Sequence, residues 1–115
     1  MTSLILQKNI RDPLYGHTAA SFETALKEKL KNRVETAYFF GSYGTDAFNA
    51  DSDIDLILIK QTDVSFFERA IEFLDLLDIV PCIDILVYTP EEFHRLTADP
   101  SPGFWQSVVA TLRIL

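Results

Sequence analysis

The chain has 115 residues, a formal net charge of −7, 48% hydrophobic residues and one cysteine. That hydrophobic share excludes a disordered chain, and the lone Cys82 excludes an internal disulfide framework. Charged residues break every apolar run short of the roughly 18 residues a membrane span needs, and no basic-then-apolar leader opens the chain, so one cytoplasmic domain over residues 1–115 is expected.

Charge is uneven along the chain. Residues 1–50 carry six Lys or Arg against five Asp or Glu, whereas residues 51–115 carry four against twelve. Such acidity disfavours extended contact with a nucleic-acid backbone, and it suits a solvated surface.

In chain order, Ser3 to Leu6 reads as a short strand, and Asp12-Pro13 and Gly16 then predict irregular structure up to residue 17. Phe22, Ala25, Leu26 and Leu30 recur at helical spacing and predict a helix over 18–33. Ala37 to Phe40 reads as a short strand ending at Gly41, and Ser42 to Phe48 as one or two helical turns. Ile54 to Ile59 is the strongest strand signal, rich in branched apolar residues.

Ser65 and Glu68 fit a capping box, and Phe67, Ala70, Ile71, Leu74 and Leu77 form an apolar stripe after it, expected to face the core. That helix should stop before Pro81. Ile83 to Tyr88 is the next strand. Thr89 as cap, Pro90 at the first helical position and Glu92 three past the cap predict a further short helix. The run Asp99-Pro100-Ser101-Pro102-Gly103 breaks the chain, and Phe104 to Leu112 completes the set as a last helix. The alternation predicts an α/β fold, a small sheet flanked by helices with its core over about 18–112, without fixing the strand order.

The chemistry concentrates in Phe40-Gly41-Ser42-Tyr43-Gly44-Thr45-Asp46-Ala47-Phe48-Asn49-Ala50-Asp51-Ser52-Asp53-Ile54-Asp55, with four carboxylates in its last ten residues. In an extended segment Asp53 and Asp55 leave the same face, their α-carbons about 6–7 Å apart, while Ile54 points into the packed side. Two unit charges 4 Å apart at an effective dielectric of 20 repel by about 4 kcal/mol, which proton sharing or a divalent cation with oxygen ligands relieves. Asp84 interrupts the apolar strand Ile83 to Tyr88, where a buried, isolated charge is costly. If the two strands are neighbours, three carboxylates form one cluster. Spacing alone leaves two readings open: a metal site, or an acidic turn plus an edge-strand aspartate.

Gly41 closes a strand and lets the backbone turn, and the N–H groups beginning at Ser42 suit phosphate oxygens. Strand-Gly-Ser-x-Gly alone is an ordinary turn signal, and it matches neither a P-loop nor a dinucleotide fingerprint. His17, His94 and Cys82 lack zinc spacing, no nearby base marks Cys82 as reactive, and Ser42 has no histidine in a triad-like arrangement. Tyr43 reads as a surface residue, with packing on the loop as the alternative, and Arg95 and Arg113 as solvent-facing charge, with contact to a partner or phosphate as the alternative.

Gly41-Ser42 followed by Ser52-Asp53-Ile54-Asp55-Leu56 resembles the signature of the DNA polymerase beta-like nucleotidyltransferase superfamily, in its small minimal nucleotidyltransferase branch. Asp84 in Ile83-Asp84-Ile85 is similar to that family's third metal-binding carboxylate, and the ending from Tyr88 through Phe104 also resembles the branch. The resemblance implies a mixed-sheet fold that transfers a nucleoside monophosphate, AMP from ATP or another triphosphate, to an acceptor hydroxyl. It implies that Asp53, Asp55 and Asp84 hold two Mg²⁺ ions, or Mn²⁺ in their place, and that Gly41 and Ser42 contact the distal phosphates. Thr45-Asp46 departs from the pattern, standing where relatives carry another glycine after a basic residue. Asp46 repels a triphosphate unless it turns outward.

The branch further implies a helical HEPN-type protein as acceptor and partner, in a toxin–antitoxin pair. The rival expectation is an antitoxin or binding module that keeps the fold and acts by complex formation. Transfer to a small molecule such as an aminoglycoside fits less well, because relatives that do this carry a second helical domain. Trp105, with Val108, Val109, Leu112 and Leu115, is expected to form the exposed apolar surface and a contact between copies.

Overall fold

The computed structural model describes residues 12–115, so the strand expected at Ser3 to Leu6 lies outside the described residues. Asp12 to His17 forms turns, as its proline and glycine predict, with Asp12 accepting from the N–H groups of Leu14 and Gly16. Helix α1 spans Ala19–Leu30. Thr18 and Ser21 cap it reciprocally, each side chain accepting from the other's backbone N–H at 3.0 Å. Strand β1 is Thr36–Phe40, β2 is Ile54–Ile59, and β3 is Ile83–Tyr88. Helix α3, Pro90–Ala98, carries the expected capping box of Thr89 and Glu92, and α4 spans Phe104–Thr111. A two-residue strand, β4 at Arg113–Ile114, was not legible as an element in the sequence.

The sheet order is β3-β2-β1-β4, with β2 parallel to β3 and the other pairs antiparallel. The central β2 is apolar on both faces because both are covered. Ile54, Leu56 and Leu58 pack against Phe22, Leu26 and Leu30 of α1 and against Phe73 and Leu76. Ile57 and Ile59 pack on the opposite side with Phe40 and Val108, flanked by Phe93, Trp105 and Leu112. Each fully buried aliphatic side chain there contributes about 1.5–3 kcal/mol relative to exposure. The arrangement is a mixed α/β fold with helices on both faces of a small mixed sheet.

The crossover from β2 to β3 departs from expectation. Ser65 makes no side-chain capping bond, and the α-helix, α2, lasts only from Phe66 to Arg69. A 3-10 helix follows over Ala70–Asp78. Its sequence explains the period, for Ala-Ile-Glu, Phe-Leu-Asp and Leu-Leu-Asp repeat every three residues, and a 3-10 helix eclipses positions three apart. Phe73 and Leu76 therefore form the buried row, and Glu72, Asp75 and Asp78 form an acidic row. Lys60 ties down Glu72, and Arg33 holds Asp75 at 2.9 and 3.0 Å. Most of the expected stripe is turned outward: Phe67, Ile71 and Leu74 are exposed, whereas Leu77 packs against the core. The chain's end differs as well, since Val108 is fully buried and Trp105 packs edge-on against Tyr88 and Phe104.

Buried Arg69 joins the crossover to the following helix. Its guanidinium meets both oxygens of Glu92, at 2.6 and 3.2 Å, while Glu92 also accepts from the Thr89 N–H. Arg69 first and then that backbone bond hold the Glu92 carboxyl down at about 2, from an ordinary 4.5. The unfolded chain therefore binds the proton more readily. Glu92 contributes its stabilisation in full above its unfolded value, and the contribution is lost as pH falls through about 2. Urea unfolding midpoints followed from neutral pH into that acid window should decline less steeply for Glu92→Gln than for the wild-type chain. Parallel declines would contradict the assignment.

Candidate active site

The first strand runs into the loop from residue 41 to 53, which returns into β2 in the opposite direction. Phe40 at the end of β1 therefore pairs with Asp55 at the start of β2. On the other side of β2, the parallel strand brings Asp84 directly opposite Asp55. Asp84, Asp55 and the Phe40–Gly41 turn thus form one row across three adjacent strands at one end of the sheet. Asp53 stands two positions before Asp55 and is exposed, as is Asp84, whereas Asp55 is half-buried.

Gly41 has φ +76°, and a Cβ added there would lie 2.5 Å from Asp55 Oδ2. The turn is glycine for two reasons: the left-handed backbone, and the carboxylate pressed against it. Gly41→Ala is expected to cost about 1–2 kcal/mol from the backbone alone, and more from displacing Asp55. Chemical unfolding checks this, and an unchanged midpoint would show that Asp55 does not lie against the turn.

Burial first, then the like charges of Asp84 and Asp53, push the Asp55 carboxyl above the usual range. Asp55 therefore feels both neighbouring carboxylates. Among the described residues, however, no three His, Cys, Asp or Glu side chains stand close enough to hold an ion as they are. The donor set still suits a hard divalent cation, all oxygen with a carboxylate from each of two paired strands.

The loop is built as a series of turns rather than the helical turns its sequence suggests, with Thr45 N–H on Ser42 O and Phe48 N–H on Thr45 O. The expected pairing of Gly41 with a phosphate meets a competitor, because its N–H already donates to Thr111 Oγ1 at 2.9 Å. Among the described residues the Ser42 hydroxyl makes no hydrogen bond, and the N–H groups of Ser42, Tyr43 and Gly44 are likewise not engaged. Those are the loop's donors for an anion.

Tyr43 is buried, not a surface residue. It packs edge-on against Phe22 and Phe48 and donates to Glu23 Oε2 at 2.7 Å. Burial and then that carboxylate raise its phenol. Arg113 is not solvent-facing charge either. Its guanidinium donates to the carbonyls of Gly41, Tyr43 and Thr111, so a cation from β4 sits under the loop. No signal in the sequence marks Thr111 or Arg113, which reach the loop across some seventy residues. Asp46 is exposed on the loop.

A cavity of about 190 Å³ adjoins Asp53, lined by Pro13, Tyr15, Asp51, Ser52 and Cys82 among others. A larger one, near 340 Å³, lies at the far end of β1 against Lys27, Leu30 and Ile114. Among the described residues no helix is long and apolar enough to cross a membrane.

The family model of the nucleotidyltransferase domain matches residues 20–98, which contain the whole loop and all three aspartates. Neither a curated protein nor a solved structure matches the chain. With the mixed sheet and its glycine-serine turn, that match over more than half the sequence shows that the chain belongs to the nucleotidyltransferase domain family of the polymerase beta-like superfamily.

Proposed function

We propose that the protein is a metal-dependent nucleotidyltransferase that moves AMP from ATP, or the corresponding group from another nucleoside triphosphate, to a hydroxyl on a helical HEPN-type partner protein. The observation that supports this most is the register that sets Asp84 opposite Asp55, with Gly41 lacking the Cβ that would push Asp55 away. In this reading Asp53, Asp55 and Asp84 hold two Mg²⁺ ions, or Mn²⁺. When bound, such ions would offset the charge of the triphosphate and of the attacking and leaving oxygens. The donors of Ser42 to Gly44 meet the distal phosphates, with Arg113 beneath them as the positive charge the loop itself lacks. The acceptor oxygen bonds to the α-phosphorus as the bond to pyrophosphate breaks. The hydroxyl proton passes to Asp84, and the cavity beside Asp53 offers room for part of the nucleotide or the acceptor.

A second reading keeps the fold as an antitoxin that works by binding alone. It is favoured by Asp46 on the loop and by the Gly41 N–H already committed to Thr111. The two separate in one assay. The protein is incubated with Mg²⁺ and each α-labelled nucleoside triphosphate, with and without a co-expressed HEPN-type partner. Label on the partner, absent with Asp53→Asn, supports transfer. Neutralisation of the partner without label, by the wild-type chain and Asp53→Asn alike, selects binding.

A further inference from the structure

The crossover between β2 and β3 presents an apolar stripe that the fold does not use. Val64, Phe67, Ile71 and Leu74 follow one another at intervals of three and four residues, and are 44%, 91%, 62% and 51% exposed. The opposite side of the same segment supplies Phe73 and Leu76 to the core, so the element is already anchored without the stripe. Exposed apolar side chains grouped on one segment and rimmed by polar residues mark a protein-interaction surface.

The rim says what fits. Asp63 and Asp78 stand at the two ends of the stripe and Glu68 alongside it, all three exposed. Among the described residues none of the three has an ion-pair partner, whereas Glu72 and Asp75, which share a row with Asp78, are held by Lys60 and by Arg33 with Lys29. Two copies of the chain meeting here would set acid against acid, whether the helices ran parallel or antiparallel. Like charges facing across an interface select against that pairing.

We infer that this face docks a helical segment of a different protein, with an apolar ridge of three or four residues and Lys or Arg at both ends. Such a ridge matches the spacing of Val64 to Leu74, and its basic ends meet Asp63, Glu68 and Asp78. The 3-10 segment suits the role, because its hydrogen bonds are poorer than those of an α-helix and its packing can adjust to a partner. The stripe ends at Leu74, ten positions before Asp84, on the segment that leads into β3. The inference takes from the proposed function only the existence of a helical protein partner, and it does not need the aspartates to be catalytic.

The test uses the full chain and a fluorescent amphipathic helical peptide with leucines along one face and lysines at both ends, beside a twin with glutamates at the ends. Anisotropy titration should show the lysine peptide binding more tightly by about tenfold or more. Ile71→Asp and Phe67→Ser should each weaken it about tenfold without lowering the melting midpoint, since both side chains are exposed. Glu68→Lys combined with Asp78→Lys should invert the preference toward the glutamate peptide. Equal binding of both peptides, or binding untouched by Ile71→Asp, overturns the inference. So does a dimer in sedimentation that Ile71→Asp dissolves, which would give the face to a second copy. No binding by the full chain overturns it too, including the case in which the chain's own residues 1–11 cover the face. Because the readout is binding, failure here leaves the role of the aspartates to be decided by the transfer assay alone.

Discussion

Asp55→Asn should slow nucleotidyl transfer by about 10²–10³-fold and at the same time make the protein more stable at neutral pH. The two effects have one cause. Asp55 is half-buried beside two like charges, so its ionised form is held at a cost in the folded chain. Its folded pKa lies above the unfolded value, so between the two the folded state binds more protons than the unfolded one. Stability from this group is then present at low pH and lost as pH rises through the folded pKa. Asparagine, similar in shape and uncharged, removes that loss at pH 7. The same substitution removes an anionic ligand, and losing one preorganised charge-stabilising group costs about 10²–10³-fold in rate. Urea unfolding and label transfer on the same preparation check both signs. A variant that is inactive and also less stable would point to Asp55 as a structural residue.

Arg69→Met should destabilise the fold by about 3 kcal/mol. Three consequences combine. Glu92 loses the partner that holds its carboxyl down, and the carbonyls of Val64 and Val87 lose donors at 2.8 and 3.2 Å. A buried acceptor left unpaired costs about 1–3 kcal/mol, whereas replacing a whole pair with apolar groups is far milder. The double variant Arg69→Met with Glu92→Leu should therefore recover part of the loss. A double variant as unstable as the sum of the two singles would show that Arg69 and Glu92 do not act as a pair.

How far the sequence reached depends on whether its signals are local. The cap at Thr89-Pro90-Glu92 and the branched run Ile54 to Ile59 are local, and both elements stand where those residues predict. Resemblance also singled out Gly41, Ser42 and the three aspartates before any pairing was known. What spacing could not supply was the neighbour of β2, and hence the meeting of Asp84 with Asp55, because strand order depends on contacts across the chain. Thr111 and Arg113 were missed for the same reason. The crossover failed differently. Helical periodicity runs through Phe67, Ile71 and Leu74, but the triplets from Ala70 to Asp78 repeat at three, which buries Phe73 and Leu76 and turns Ile71 and Leu74 outward. Tyr43 was missed because a tyrosine in a polar loop carries no mark of the Glu23 acceptor that lets it be buried.

In the proposed function Asp53, Asp55 and Asp84 draw together around divalent cations beside the turn at Gly41 and Ser42. Mn²⁺ titrated into the isotopically labelled chain tests it most directly, because the ion broadens the amide resonances nearest to it. Broadening should come first at Gly41, Ser42, Asp55 and Asp84, and be absent there in the triple Asp→Asn variant. Broadening that is scattered over the acidic surface, or that survives in the triple variant, would contradict it.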